Sequence, residues 1–385
     1  MNNRFIRLIT VALIGVFILL NLNACGGRVP YGFVKLFREA DRVTEVATIT
    51  ASDTPFRFEE NPGELELSYE FKGRTYELER FFKRTATTSF LVVKNDEIVY
   101  ERYFQGADES SRLTSFSMAK SFVSALVGIA IEEGYIESVD DPITRYVPEL
   151  KGSGYDGVPI KHVLQMSSGV KFSENYYNPF CDLWVMAGRL VFLDRPMDKY
   201  MANRKSKEPS GERFHYASVD TQALGMLLRR TKGRPVAEYL EEKIWHPLGM
   251  ESDAFWNVDC EGVELVFCCL NATAKDYAKF GRLYMNGGNW NGEQIVAESW
   301  VLESIVPDSP HLQPGRTENS WGYQYQWWIP EDSDGEFMAV GIFGQYLYVY
   351  PKEDLIIVKT SADMAMNDDE CLAVFRAVAE YLRGD

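Results

Sequence analysis

The chain has 385 residues, 46% of them hydrophobic, and carries 40 Lys and Arg against 56 Asp and Glu, a formal net charge of -16. That length can bury a large core without staples, and the negative balance repels polyanions, so nucleic acid is not an expected partner. No Cys-x-x-Cys, His-Glu-x-x-His, Walker-type loop or Gly-x-Ser-x-Gly elbow occurs, and His162, His215, His246 and His311 lack metal-ligand spacing, so neither a metal nor a cofactor is expected.

Arg4 and Arg7 precede a 13-residue apolar run from Leu8 to Leu20, broken by Thr10 and Gly15. A spanning helix needs about 20 apolar residues, so residues 1–24 read as a signal peptide. Leu22-Asn23-Ala24-Cys25-Gly26 resembles a bacterial lipobox, which makes Cys25 the lipidated first residue of the mature chain. The expectation is an exported lipoprotein held to the membrane by its acyl chains on the periplasmic face, with Gly26 compatible with outer-membrane sorting. A signal-anchor with unmodified Cys25 is the competing reading. The remaining cysteines, Cys181, Cys260, Cys268, Cys269 and Cys371, are odd in number, so at least one thiol stays free. Cys268-Cys269 reads as core packing, and a bridge from Cys181 to Cys260 or Cys268 stays open.

Residues 25–85 read as a polar, strand-leaning extension. Alternation in Glu64-Leu65-Glu66-Leu67-Ser68-Tyr69-Glu70-Phe71 predicts a strand, Lys72-Gly73 a turn, and Arg74-Thr75-Tyr76-Glu77-Leu78 a return strand. No catalytic cluster is visible there, and the segment suits either packing on the next domain or a spacer role. Residues 86–385 follow without a low-complexity linker and read as one large domain of mixed α and β class.

Phe90-Leu91-Val92-Val93 and Ile98-Val99-Tyr100 predict strands ahead of Ser117-Met118-Ala119-Lys120. From Met118 to Ile131 the chain is apolar on nearly every side, with Gly134 as a stop, which predicts a buried helix. Residues three apart share a helix face, so Ser117 and Lys120 are neighbours. Burial and the positive end of the helix dipole both disfavour the Lys120 ammonium, and a neutral lysine is a base for a serine nucleophile. Backbone N–H groups at the same helix start suit the negative charge that develops on an attacked carbonyl oxygen. A serine three residues before a lysine also arises by chance; its position at the mouth of an apolar helix, after strands, selects the catalytic reading.

From about residue 140 to 305 helical signals predominate, including Asp141-Pro142, Pro235-Val236 ahead of Tyr239-Leu240, and Thr273-x-x-Asp276 as a capping-box variant, which predicts a helical subdomain. Tyr216-Ala217-Ser218 lies within it. His215 beside Tyr216 is more simply a packed ring than a tuning group. The aromatic run Trp321 to Trp328, strands Phe337 to Ile342, Tyr346 to Tyr350 and Leu355 to Thr360, and a turn at Pro351-Lys352-Glu353-Asp354 return the chain to a sheet, and a helix from about Asp369 to Arg383 closes it. Trp327 and Trp328 suit sheet packing or an apolar pocket wall.

Ser115-Phe116-Ser117-Met118-Ala119-Lys120-Ser121-Phe122, Leu164-Gln165-Met166-Ser167-Ser168-Gly169 and Trp245-His246-Pro247-Leu248-Gly249-Met250 resemble segments of the serine β-lactamase and penicillin-binding superfamily, closest to its class C-like hydrolase and esterase branch with the 6-aminohexanoate-dimer hydrolases. The likeness runs from about Thr87 to the C-terminus. It implies an α+β, transpeptidase-like fold, an antiparallel sheet flanked by helices with the active site between sheet and helical part. It implies Ser117 as the acylated nucleophile, Lys120 as base or proton relay, Tyr216 as second acid/base whose anion needs a nearby ammonium, and the N–H of Ile342 beside that of Ser117 as an oxyanion hole. Tyr176 or Tyr177, in the loop Glu174-Asn175-Tyr176-Tyr177-Asn178-Pro179, would close over a ligand, Ser218 would hydrogen-bond where many lactamases have asparagine, and Gln345 would contact the acyl portion. Gly341-Ile342-Phe343-Gly344-Gln345 replaces the Lys-Thr-Gly motif, which removes the cation that holds a β-lactam carboxylate. The resemblance therefore implies a serine hydrolase for small esters or linear amides; the alternative is a penicillin-binding-like module that recognises cell-wall peptides with little turnover.

Overall fold

The computed structural model describes residues 31–176, 178–317 and 319–384. The segment expected to be a signal peptide and Cys25 lie outside them, as does Tyr177. An eight-stranded sheet runs in the order Gly322–Gln324, Trp327–Ile329, Phe337–Gly341, Gln345–Tyr350, Leu355–Ser361, Thr87–Lys94, Glu97–Tyr103 and Glu59–Glu60. Its pairs are antiparallel except the last, where Glu59 and Glu60 run parallel to Glu97 and Ile98.

Side chains alternate across a strand, and here both faces are covered. Leu91, Val93, Leu347, Val349, Ile356 and Val358 share a core with helices Ala119–Glu132 and Ala274–Met285. Phe90, Val92, Tyr346, Tyr348, Leu355 and Ile357 pack instead on Phe375 and Val378 of helix Asp368–Arg383. Two buried faces explain why these strands read as continuous apolar runs rather than as polar–apolar alternation. Helix Ala274–Met285 starts as its sequence predicts: the Thr273 hydroxyl accepts from the Asp276 N–H at 3.2 Å.

The predicted hairpin is present, with Ser68–Phe71 paired to Arg74–Glu77 and both turn residues, Lys72 and Gly73, at positive φ. The segment ahead of residue 85 is built into the rest. Val46–Ile49 pairs with Ala254–Asn257 in a second, four-stranded sheet that continues through Leu270–Ala272 to Leu113–Thr114. Tyr69, Phe81 and Phe82 enter the core under helix Asp368–Arg383.

Residues 140–305 contain helices Ile160–Leu164, Asp182–Leu193, Met197–Ala202 and Ser218–Lys232, but they are not helical throughout. Helix Ala274–Met285 leaves the helical part to lie on the large sheet, where a Cβ on Gly281 would come within 2.8 Å of Leu347. The cysteine pairing also differs from expectation: Cys268 and Cys269 are bonded to each other, and Cys181, Cys260 and Cys371 remain thiols.

Candidate active site

Ser117 lies in a short 3-10 turn, Phe116–Met118, that runs directly into helix Ala119–Glu132, so Lys120 sits one turn on and faces back toward it. Lys120 Nζ is 2.8 Å from Ser117 Oγ, 3.0 Å from Ser218 Oγ and 2.8 Å from the Phe267 carbonyl oxygen. An ammonium has three N–H groups, and these contacts use all of them. Burial pushes the Lys120 ammonium down to about 8, with the Glu174 carboxylate acting in the opposite direction. Loss of one proton leaves two N–H groups and a lone pair. The Phe267 carbonyl can only accept, and the Ser218 hydroxyl already donates to Glu174 Oε1 at 2.8 Å. Both therefore retain their N–H bonds, and the lone pair turns to the Ser117 hydroxyl.

Tyr216 stands just before helix Ser218–Lys232, and the extended Ala217 between them sends the Tyr216 and Ser218 side chains to the same side, toward Lys120. Its ring stacks on Trp328, 5.6 Å between centroids, and Lys120 Nζ stands 5.0 Å from its own centroid. Burial first, then the Glu174 charge, push the phenol up, and hydrogen bonding with the Ser117 hydroxyl opposes them. The ammonium that was expected to favour the phenolate lies over the ring face instead, and burial wins. Tyr216 is thus a protonated donor at neutral pH. The His215 ring is hydrogen-bonded to the Phe172 carbonyl while also lining the cavity.

Glu174 ties the site together. Its carboxylate accepts from Ser218 N–H at 2.8 Å, from Ser218 Oγ at 2.8 Å and from the Tyr176 hydroxyl at 2.9 Å. Tyr176 is half-buried on the cavity wall, whereas Ser218 is buried behind Lys120. Ser117, Glu174, Tyr176, Tyr216, Trp328 and Ile342 are among the residues that line a cavity of about 560 Å³. Of the paired tryptophans, Trp328 faces this cavity and Trp327 is fully buried in the core, as strand alternation requires.

The strand edge reaches Ser117 through Gly341. A Cβ there would lie 2.3 Å from the Ser115 carbonyl oxygen and 3.1 Å from the Ser117 nitrogen, so only glycine permits the approach that sets Ile342 beside Ser117. Gln345 is not the substrate contact expected of it. It is buried, donates through Nε2 to the carbonyls of Ile342 and Ser361 at 3.1 and 2.8 Å, and accepts from the Ser361 N–H at 3.0 Å. A side-chain amide with three backbone partners holds the turn at Ile342–Gly344 and has none of its length left for a ligand.

Several participants escape sequence reasoning. Phe116 and Phe343, at φ 41° and 65°, occupy the left-handed region on either side of the site. Their rings meet at 5.4 Å, and Phe37 from the N-terminal segment packs on both at 5.2 and 5.4 Å. Glu174 is written in the same loop as Tyr176, and its signal was a lone carboxylate two residues from an aromatic. The Phe267 carbonyl carries no side-chain signal at all.

A β-lactamase family model matches residues 78–379. The chain belongs to the β-lactamase family. This β-lactamase-family protein is 31% identical over 299 residues to the 6-aminohexanoate-dimer hydrolase of Paenarthrobacter ureafaciens, which covers 75% of this chain and 76% of that relative. A solved Bacillus anthracis structure named for 6-aminohexanoate-dimer hydrolase superimposes with a TM-score of 0.82 at 27% identity, over 91% of this chain and 94% of the other. A family VIII carboxylesterase shares the fold at a TM-score of 0.62 and 16% identity, over 78% and 93% of the two chains. The β-lactamase-family protein is accordingly an α+β hydrolase of the serine β-lactamase superfamily.

Proposed function

We propose that this protein hydrolyses small esters or linear amides through an acyl-enzyme on Ser117. The observation that carries the reading is the Lys120 ammonium, buried against Ser117 Oγ at 2.8 Å with its other two N–H groups held by Ser218 and Phe267. In its neutral form Lys120 takes the Ser117 proton as Oγ bonds to the carbonyl carbon. The oxygen of the tetrahedral species gains negative charge, and the N–H groups of Ser117 and Ile342 stabilise it. Tyr216, protonated, donates to the leaving nitrogen or oxygen as its bond to carbon breaks. The Lys120 proton then returns to Tyr216 by way of the site's hydroxyls. Water attacks the acyl carbon along the reverse proton route, and Ser117 is released with the acid. Tyr176 closes the cavity over the bound acyl group.

No lysine or arginine stands among the described residues lining the cavity, which favours this reading over recognition of the carboxylate in β-lactams or cell-wall peptides. The test is turnover of p-nitrophenyl esters and aminohexanoate oligomers beside nitrocefin. Ester or amide turnover that disappears in Ser117→Ala supports the proposal. Wild-type ester hydrolysis by Ser117→Ala, or a stable penicillin adduct with no ester turnover, overturns it. We also propose that the mature protein is a lipoprotein acylated on Cys25 and carried on the periplasmic face of a bacterial membrane. Mass spectrometry of the N-terminus from native membranes checks this, and an unmodified Cys25 or a retained Met1 refutes it.

A further inference from the structure

Lys120 is held by a backbone carbonyl that borders a small covalent ring. Its Nζ donates to the Phe267 carbonyl at 2.8 Å, and the N–H on the opposite edge of that same peptide, from Cys268, donates to the Leu265 carbonyl at 3.0 Å. The next peptide, between Cys268 and Cys269, is enclosed by the disulfide that joins its own two side chains. Its carbonyl, that of Cys268, accepts from Trp256 Nε1 at 2.6 Å. The Cys269 carbonyl accepts from the Asn257 N–H at 3.1 Å and from Asn271 Nδ2 at 2.7 Å.

Cys269 has φ 66°, in the left-handed region, which a non-glycine residue keeps only where its surroundings enforce it. A ring closed through adjacent side chains takes the freedom from Cys268 ψ and Cys269 φ, the two rotations that would let Cys269 leave that region. The Phe267–Cys268 peptide then retains one rotation relative to the ring, about the Cys268 N–Cα bond, and the Leu265 hydrogen bond restrains it. Cys268 is buried and Cys269 is half-buried, so Cys269 carries the sulfur that a reagent reaches first. Because Cys181, Cys260 and Cys371 are thiols, this is the one disulfide among the described residues.

We propose that the Cys268–Cys269 disulfide is a positioning device for Lys120, acting through the Phe267 carbonyl, and that a dithiol which opens it slows the reaction at Ser117. This rests on the hydrolase reading and adds a means of regulating it. A thiolate of the dithiol attacks the Cys269 sulfur, the S–S bond breaks, and Cys268 leaves as a thiolate that takes a proton. The second thiol of the reagent closes on the mixed disulfide and releases the Cys269 thiol. The protein gains two electrons and two protons, and the reagent becomes a cyclic disulfide. Without the ring, Cys269 leaves the left-handed region, the Phe267–Cys268 peptide turns, and Lys120 loses an acceptor. That loss disfavours the ammonium, which needs three acceptors, and the neutral amine is no longer aimed at Ser117.

The experiment measures kcat, KM and the pH profile of kcat/KM on a neutral p-nitrophenyl ester, for oxidised protein and for protein reduced with dithiothreitol and desalted without air. Mass spectrometry of an alkylated aliquot verifies that Cys268 and Cys269 have become thiols. Reduction should lower kcat by about tenfold, leave KM little changed and move the ascending limb to lower pH, and reoxidation with oxidised glutathione should reverse all three. Cys268→Ala/Cys269→Ala should behave like reduced protein. Cys268→Ala/Cys269→Gly, which takes a positive φ without a ring, should recover most of the rate, and neither variant should respond to dithiothreitol. A bridge that only stabilised the fold would lower the melting temperature and leave the limb in place. An unmoved limb with an unchanged rate after full reduction, or a glycine variant no faster than the alanine variant, overturns the inference while the hydrolase reading stands. Absence of ester turnover in the oxidised protein overturns the hydrolase reading instead. In that case the titration of the Lys120 side chain, followed by NMR of lysine-labelled protein in both redox states, still decides the inference, and an unmoved midpoint counts against it.

Discussion

The ring of Phe37 lies edge-on to that of Phe116, with centroids 5.2 Å apart and planes at 85°. Phe116 immediately precedes the proposed nucleophile, Ser117, and holds a left-handed backbone, a conformation that costs about 1–3 kcal/mol for a non-glycine residue and persists only where its surroundings enforce it. Part of that enforcement comes from a residue more than seventy positions upstream of Ser117 by the numbering of the chain. Phe37→Ala should therefore lower kcat by about tenfold with little change in KM, beyond a stability loss of about 3 kcal/mol. Phe37→Leu, which refills most of the volume, should restore most of the rate. Steady-state kinetics beside thermal melts separates the positioning effect from simple unfolding.

Lys120 must be neutral to accept the Ser117 proton, and burial holds it at about 8. The acylation rate should climb with pH and level off above about 8, opposite in sign to a reaction that requires the ammonium. Lys120→Ala should lose about a thousandfold in kcat/KM together with this ascending limb. A pH–rate profile of kcat/KM on a neutral ester provides the measurement.

Glu174 raises both neighbouring groups, since its charge favours the Lys120 ammonium and disfavours the Tyr216 phenolate. Glu174→Gln should move the ascending limb to lower pH. It should also reduce kcat by about tenfold, because an amide cannot accept from both the N–H and the hydroxyl of Ser218 through its two ends. A lower midpoint with a lower plateau is the expected signature; an upward move of the midpoint contradicts the assignment.

Asp220 is buried, with Oδ1 accepting from Tyr155 OH at 2.9 Å and Ser168 Oγ at 2.7 Å and Oδ2 without a partner among the described residues. Burial pushes its carboxyl up to about 7 from 3.8. The folded state thus binds a proton that the unfolded chain releases, and this contribution is complete below pH 3.8 and is lost as pH rises toward 7. Asp220→Asn imitates the protonated form and should flatten that decline, making the variant more stable than wild type at pH 8. Urea melts at pH 5 and pH 8 report the difference directly.

Local sequence carried much of the reaction core. The helix after Ser117 is apolar on nearly every side, so its burial follows from composition, and the three-residue spacing from Ser117 to Lys120 places the two groups on one face whatever the rest of the chain does. The strands at Thr87–Lys94 and Leu355–Ser361 and the hairpin at Lys72-Gly73 were legible for the same reason, because apolar runs and turn chemistry are local. Gln345 shows where that legibility ends: its position near a replaced motif suggested a ligand contact, but the strand pleat turns it inward onto Ser361.

What tertiary structure alone decided is which way each polar group is occupied. The Phe267 carbonyl aims the lone pair of Lys120, Glu174 gathers Ser218 and Tyr176, and Phe37 braces Phe116. None of these relations is coded by spacing, since each joins stretches of chain brought together only when the sheet and its helices pack. Hydrogen-bond direction and desolvation depend on the completed enclosure, and so the residue types of the reaction were written in the sequence while their protonation and aim were set by the fold.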